Sequence, residues 1–110
     1  RNYTKGGPIS VVAGDANAFA STGGDVFVSA GNGTSTDYGD GGNGGTIRIH
    51  GGHAHGQSII DSGGKIIINA GGAAVGNGGD LIVSSGISYT GSSGDVSLNS
   101  PSSGSHGVSG

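Results

Sequence analysis

The chain has no cysteine, no methionine and no tryptophan, and every acidic residue is aspartate. The lack of cysteine excludes a disulfide scaffold and any metal site or nucleophile built on a thiolate. Only 5% of the residues are aromatic and only four are Lys or Arg, too few for the basic stripe of a nucleic-acid-binding protein. No apolar run approaches the length of a membrane span. We therefore expect neither a nucleic-acid partner nor a membrane span.

The first residue is Arg1 rather than Met, and no signal peptide is visible. We therefore expect a processed product or a fragment of a longer repeat protein.

Glycine is abundant, at 28 of 110 residues, and serine is frequent, which is typical of low-complexity disordered segments. One short phrase nevertheless occurs six times: apolar, any, apolar, any, small, then glycine or proline. The copies are residues 9–14, 26–31, 47–52, 66–71, 81–86 and 96–101. Disordered Gly/Ser chains do not keep Val, Ile and Leu in register in this way. The pattern therefore predicts an ordered repeat protein.

Glycine steps mark the boundaries of the repeats. They predict an N-terminal leader, residues 1–7, followed by one repeat domain, residues 8–110. Its six rungs are residues 8–24, 25–45, 46–64, 65–79, 80–94 and 95–110, with lengths between 15 and 21 residues. The longer rungs carry insertions at 34–43 and 53–60, which belong in loops, because a paired strand cannot change length without losing its register.

The repeated phrase alternates with period two and places β-branched residues at its apolar positions, which is typical of strand rather than helix. We predict an all-β fold without helix, a short two-sided β-solenoid of about six rungs. Its core would consist of two stacked columns of inward side chains. These are Ile9, Val26, Ile47, Ile66, Leu81 and Val96, and Val11, Val28, Ile49, Ile68, Val83 and Leu98.

Each rung also needs corners and a second side. The corners are expected at Gly14, Gly31, Gly52, Gly71 and Gly86, where positive φ or close packing would exclude a Cβ atom. A weaker second strand is expected at 17–21, 34–38, 57–60, 73–75, 88–90 and 105–108. Its core members would be Phe19, Ile59 or Ile60, Val75, Tyr89 and Val108.

Three histidines lie within six residues of one another, His50, His53 and His55. Imidazole binds zinc, copper and nickel, so these three residues are weak candidates for a metal site. The alternative is a solvated polar loop without metal, and we favour it. Gly76–Ile82 fits part of a calcium-binding β-roll repeat, but we interpret Asp80 as starting a strand and satisfying turn amides. No cofactor is expected.

Serine and aspartate are too widespread to indicate a catalytic arrangement, and 41–45 lacks the Lys-Ser/Thr ending of a phosphate-binding loop. We predict that the chain is not an enzyme.

Two N-x-Ser/Thr sequons begin at Asn2 and Asn32. Each is an acceptor for an N-linked glycan if the protein is secreted by a eukaryote. Asn32 is the stronger candidate, because it follows a corner glycine and precedes the longest insertion.

The segments Gly79-Asp80-Leu81-Ile82-Val83-Ser84-Ser85-Gly86 and Ser93-Gly94-Asp95-Val96-Ser97-Leu98-Asn99-Ser100 carry a resemblance to a known repeat. They resemble the Gly/Ser-rich "SGDVxLxSG" β-solenoid repeats of microalgal and bacterial cell-surface proteins. The resemblance implies an extracellular or cell-surface protein that is often glycosylated.

These observations lead to the hypothesis of a structural extracellular protein that stacks end to end into a filament, sheath or surface appendage. Its main partner would be itself, in a head-to-tail homopolymer, because the terminal rungs offer uncovered strand edges and continuing apolar columns. The alternative is a binding module for ice or carbohydrate, or a fragment of a surface adhesin. A negative-stain image would distinguish filaments from single particles.

Overall fold

The computed structural model describes residues 4–110 and divides the chain into two units, one ending at Gly63 and one spanning Gly64–Gly110. None of the described residues lies in a helix or a strand. The predicted all-β two-sided solenoid is therefore wrong, as is the fold implied by the resemblance. Across 4–110 there is accordingly no helix that could cross a membrane. Of the predicted leader, residues 1–3 lie outside the described part, and so does the sequon residue Asn2.

The predicted core is absent from the described residues. No hydrophobic side chain among them is buried, and the chain exposes 11189 Å² to solvent. A compact protein of its mass, 10.3 kDa, would expose about 5,400 Å². The exposed fractions of the twelve predicted core residues range from 50% at Ile47 to 99% at Leu98. The prediction of a core fails for all twelve: Ile9, Val11, Val26, Val28, Ile47, Ile49, Ile66, Ile68, Leu81, Val83, Val96 and Leu98.

The composition explains why no core forms. Each repeat supplies two or three large apolar side chains and then a segment rich in Gly and Ser that adds only one or two more. Ordering the backbone costs about 1–2 kcal/mol per residue, and glycine loses more conformational freedom than any other residue. In a single chain the few apolar groups of each repeat have no neighbouring layer of sufficient area to offset that cost.

What the repeats do form is a series of closed loops. The amide nitrogen of Gly24 donates a hydrogen bond to the carbonyl oxygen of Gly14, with an N–O distance of 2.9 Å. Equivalent bonds of 2.9, 2.9 and 3.0 Å join Gly45 to Gly31, Gly79 to Gly71 and Gly94 to Gly86. We call these bonded glycine pairs the necks and the segments 14–24, 31–45, 71–79 and 86–94 the glycine loops. Such loops, closed at the base, resemble Ω-loops in construction.

A turn or bend overlaps each segment where the second strand of a rung was predicted. Turns or bends occupy residues 18–20, 38–40, 58–60, 74–76, 89–91 and 105–107. One turn is closed at Ser21, whose amide and hydroxyl both donate to the carbonyl of Ala18. Another is closed by the Asp61 amide, which donates to the Ser58 carbonyl at 3.0 Å. The prediction of a second strand in each rung is therefore wrong. Its expected core members are all exposed: Phe19, Ile59, Ile60, Val75, Tyr89 and Val108.

The corner glycines also differ from the prediction. No described glycine has positive φ; the positive value occurs at Ala20, with φ of 55°. A Cβ atom added at any of the corner glycines, Gly14, Gly31, Gly52, Gly71 and Gly86, would meet nothing within 4 Å. Four of these glycines, Gly14, Gly31, Gly71 and Gly86, serve as hydrogen-bond acceptors rather than as sites of steric exclusion.

Glycine is sterically required elsewhere, between Gly33 and Gly42 in the loop 31–45. A Cβ atom on Gly42 would lie 2.8 Å from the carbonyl carbon of Gly33, and one on Gly33 would overlap the backbone of Gly42 and Asn43. The two backbone segments of this loop therefore touch at Gly33 and Gly42, where neither residue can carry a side chain.

Candidate functional site

Between the loops run six short segments that present the apolar residues, and we call them the arms. The arms are residues 8–13, 25–30, 46–51, 65–70, 80–85 and 95–100. The fourth arm has three consecutive isoleucines, Ile66, Ile67 and Ile68, that are 52%, 73% and 63% exposed. The side chain predicted to point outward, Ile67, is thus the most exposed of the three.

The same alternation appears in two other arms. Phe27 is more exposed than Val26 and Val28, and Ile82 is more exposed than Leu81 and Val83. The sidedness expected from the sequence is therefore present in these arms, but no second layer covers the less exposed side. Each arm has an apolar face that is exposed to water, and no described residue covers this face enough to bury it.

In four of the arms the last residue lies against a neck. All described residues are exposed except Ala13, Ala30 and Gly51, which are partly buried, and all three end an arm. A Cβ atom on Gly24 would lie 3.4 Å from that of Ala13, and one on Gly45 would lie 3.4 Å from that of Ala30. The neck therefore fixes the end of the arm against the start of the next repeat.

The structure brings together two of the three candidate histidines. The ring centroids of His53 and His55 are 6.3 Å apart, with the planes inclined by 40°. His50 takes no part in a ring contact, and residues 4–110 contain no group of three His, Asp or Glu side chains that would hold a metal ion. Asp80, the residue of the β-roll-like segment, belongs to no such group either.

The candidate glycan acceptor Asn32 is exposed and lies directly after the neck residue Gly31. The loop that follows is held by local bonds. The Gly39 amide donates to Asp37 Oδ1 at 2.8 Å, and the Gly42 amide donates to the Ser35 carbonyl at 3.2 Å. Asn32 therefore stands at the accessible base of a loop that has some internal structure.

No cavity is present among the described residues. Comparison with protein-family models, with curated proteins and with solved structures gave no match. The arms and their necks are thus the features that recur most regularly along the described residues, and we take the arms as the candidate functional surface.

Sequence reasoning identified the neck acceptors only as corners and the donors only as the last residues of predicted rungs, and it missed the hydrogen bond that joins them. The donors are Gly24, Gly45, Gly79 and Gly94. A signal was present, since each donor is the last glycine before a predicted rung. Because glycine offers only its backbone, its recurrence at both ends of a variable segment indicates a backbone-to-backbone closure.

Proposed function

We propose that this chain is a structural extracellular protein that self-associates through its apolar arms, with the glycine loops acting as spacers. The observation that supports this most directly is the exposure of large apolar side chains. None of those in the described part is buried, although three arms keep a more and a less exposed side. Large contiguous apolar surfaces that remain in water mark sites of association.

A second copy of the chain is the partner whose chemistry fits best. All six arms share one pattern, so an arm of one molecule meets the same spacing of apolar groups in another. Fully burying one Val, Leu or Ile side chain stabilises a complex by about 1.5–3 kcal/mol. Several weak arm-to-arm contacts on one chain would act together through their high effective concentration.

End-to-end stacking through terminal rungs would require the solenoid, which residues 4–110 do not form. Self-association through the arms does not need a preformed end. It predicts contacts distributed along the chain, and therefore assemblies whose size rises steadily with concentration. An extracellular location and glycosylation at Asn32 form part of the same proposal.

Sedimentation velocity and light scattering across a wide concentration range test the proposal. We expect the average mass to rise with concentration, and negative-stain images to show filaments or networks at the highest concentrations. A mass equal to that of the single chain, 10.3 kDa, throughout this range would refute self-association.

A further inference from the structure

We propose that Asn43, Asn77 and, where it carries no glycan, Asn32 are sites of spontaneous covalent modification, at which the side-chain amide is converted to a carboxylate. Each of these asparagines is followed by glycine, at Gly33, Gly44 and Gly78. The other described asparagines, Asn17, Asn69 and Asn99, are followed by alanine or serine. The inference does not depend on the proposed function.

The reaction begins when the main-chain nitrogen of the following residue attacks Cγ of the asparagine side chain. The new N–C bond closes a five-membered succinimide, the Cγ–Nδ2 bond breaks, and ammonia leaves with the proton that the backbone nitrogen gave up. Water then adds to one of the two ring carbonyls and opens the ring. The products are aspartate, or isoaspartate with the main chain rerouted through the side chain. The net change is uptake of one water and loss of one ammonia.

Glycine at the next position favours this attack for a physical reason. Without a Cβ atom, the backbone can rotate to bring its nitrogen against Cγ, and nothing shields that nitrogen. A helix or strand would hold the amide in a hydrogen bond and prevent the rotation, but residues 4–110 form neither. In the hydrogen bonds of this part of the chain, the amide nitrogens of Gly33, Gly44 and Gly78 donate to no protein acceptor.

The three sites differ in the space around them. A Cβ atom placed on Gly44 would meet nothing within 4 Å, and one on Gly78 would meet only the Gly71 carbonyl oxygen, at 3.6 Å. Gly33, by contrast, is pressed against the backbone of Gly42 and Asn43. The succinimide at Asn77 therefore forms in open surroundings, whereas at Asn32 and at Asn43 it requires the close contact between Gly33 and Asn43 to open. We expect Asn77 to react faster than Asn32 and Asn43.

All three sites flank the necks. Asn43 and Asn77 each stand two residues before a neck donor, Gly45 and Gly79, and Asn32 directly follows the neck acceptor Gly31. An isoaspartate at any of them lengthens the main chain next to the closing hydrogen bond. Modification therefore changes the geometry of the necks as well as the charge.

The test is incubation of the full chain in neutral buffer made with ¹⁸O-labelled water, followed by peptide mass spectrometry at intervals. We expect label at Asn43 and Asn77 to accumulate at least about tenfold faster than at the internal controls Asn17, Asn69 and Asn99, because only the former precede glycine. Equal rates at the two classes of asparagine would overturn the proposal.

A single substitution provides the matched control. The Gly78→Ala variant adds a Cβ atom that makes only an ordinary contact, so the loop 71–79 is retained. We expect it to slow labelling at Asn77 at least about tenfold while leaving Asn43 unchanged, since a side chain restricts the approach of the nitrogen. Unchanged labelling at Asn77 in this variant would contradict the mechanism.

Discussion

The amide nitrogen of Gly45 donates a hydrogen bond of 2.9 Å to the carbonyl oxygen of Gly31, and this bond closes the longest glycine loop of the chain. The same relationship recurs in three further repeats with shorter loops. Because the same glycine–glycine bond closes loops of different length, the repeats can accommodate insertions without changing the arms on either side.

Removing the donor of one neck should open its loop. Proline lacks the backbone N–H, so Gly79→Pro abolishes the bond to the Gly71 carbonyl. An exposed backbone hydrogen bond contributes about 0.5–1.5 kcal/mol to the stability of the closed loop. Without it, we expect the loop to change from closed in most molecules to open in most molecules. Spin or fluorescent labels at positions 70 and 80 would report the change as a longer mean separation.

The control for this experiment is Gly72→Pro. Gly72 lies in the same loop, has open space around it and donates no hydrogen bond in the described structure. An equal increase in label separation for both variants would show that the neck bond does not hold the loop closed.

A charge in the fourth arm should weaken self-association. Ile68→Asp places a carboxylate in the run of three isoleucines, where contact with a second copy would bury it without a partner. We expect the midpoint concentration for assembly to rise at least about tenfold, which corresponds to about 1.4 kcal/mol. Sedimentation equilibrium measures the midpoint directly.

Ser92→Asp adds the same charge in the loop 86–94, away from the arms. We expect it to shift the midpoint far less than Ile68→Asp. If the two variants assemble alike, net charge rather than arm contact governs association.

Asn32 should carry an N-linked glycan in natively secreted material, because it is exposed and its sequon is completed by Thr34. Glycopeptide mass spectrometry would locate the glycan. Thr34→Ser keeps the sequon and should keep the glycan, whereas Thr34→Ala should abolish it. Native material with an unmodified Asn32 would remove the main support for a eukaryotic secretory origin.

Conversion of the three reactive asparagines should oppose assembly. The variant N32D/N43D/N77D adds three negative charges to a formal net charge of −3, giving −6. Larger net charge of one sign increases repulsion between copies. We expect slower growth of scattering at low ionic strength and recovery of the original rate in high salt, which screens exposed charges.

The control for that variant is N17D/S62D/S102D, which has the same net charge but places its carboxylates outside the arms and away from the bonded neck glycines. Equal slowing in both variants would assign the effect to charge alone. A greater effect of N32D/N43D/N77D would assign part of it to the position of these carboxylates beside the necks.

The sequence by itself determined the features that depend on local chemistry. The repeat positions, the short apolar segments with a more exposed side at Phe27, Ile67 and Ile82, and the glycines at the ends of each loop all follow from residue type and spacing. The acceptors Gly14, Gly31, Gly71 and Gly86 stood at predicted corners, although their role is to bond rather than to exclude a side chain.

Only the tertiary structure decided whether the arms pair and bury their apolar side chains, and it shows that within the described residues they do not. Alternation of Val and Ile indicates a preference for strand, but a strand exists only where a neighbour supplies both hydrogen bonds and apolar area. Here the backbone bonds lie within single repeats, at the necks and in the turns, and Ile49 and Ile68 remain well exposed. Closing one loop requires a single hydrogen bond between its ends, whereas stacking six repeats requires many residues to become ordered at once. This glycine-rich chain has too little apolar surface to offset the conformational entropy that such ordering costs.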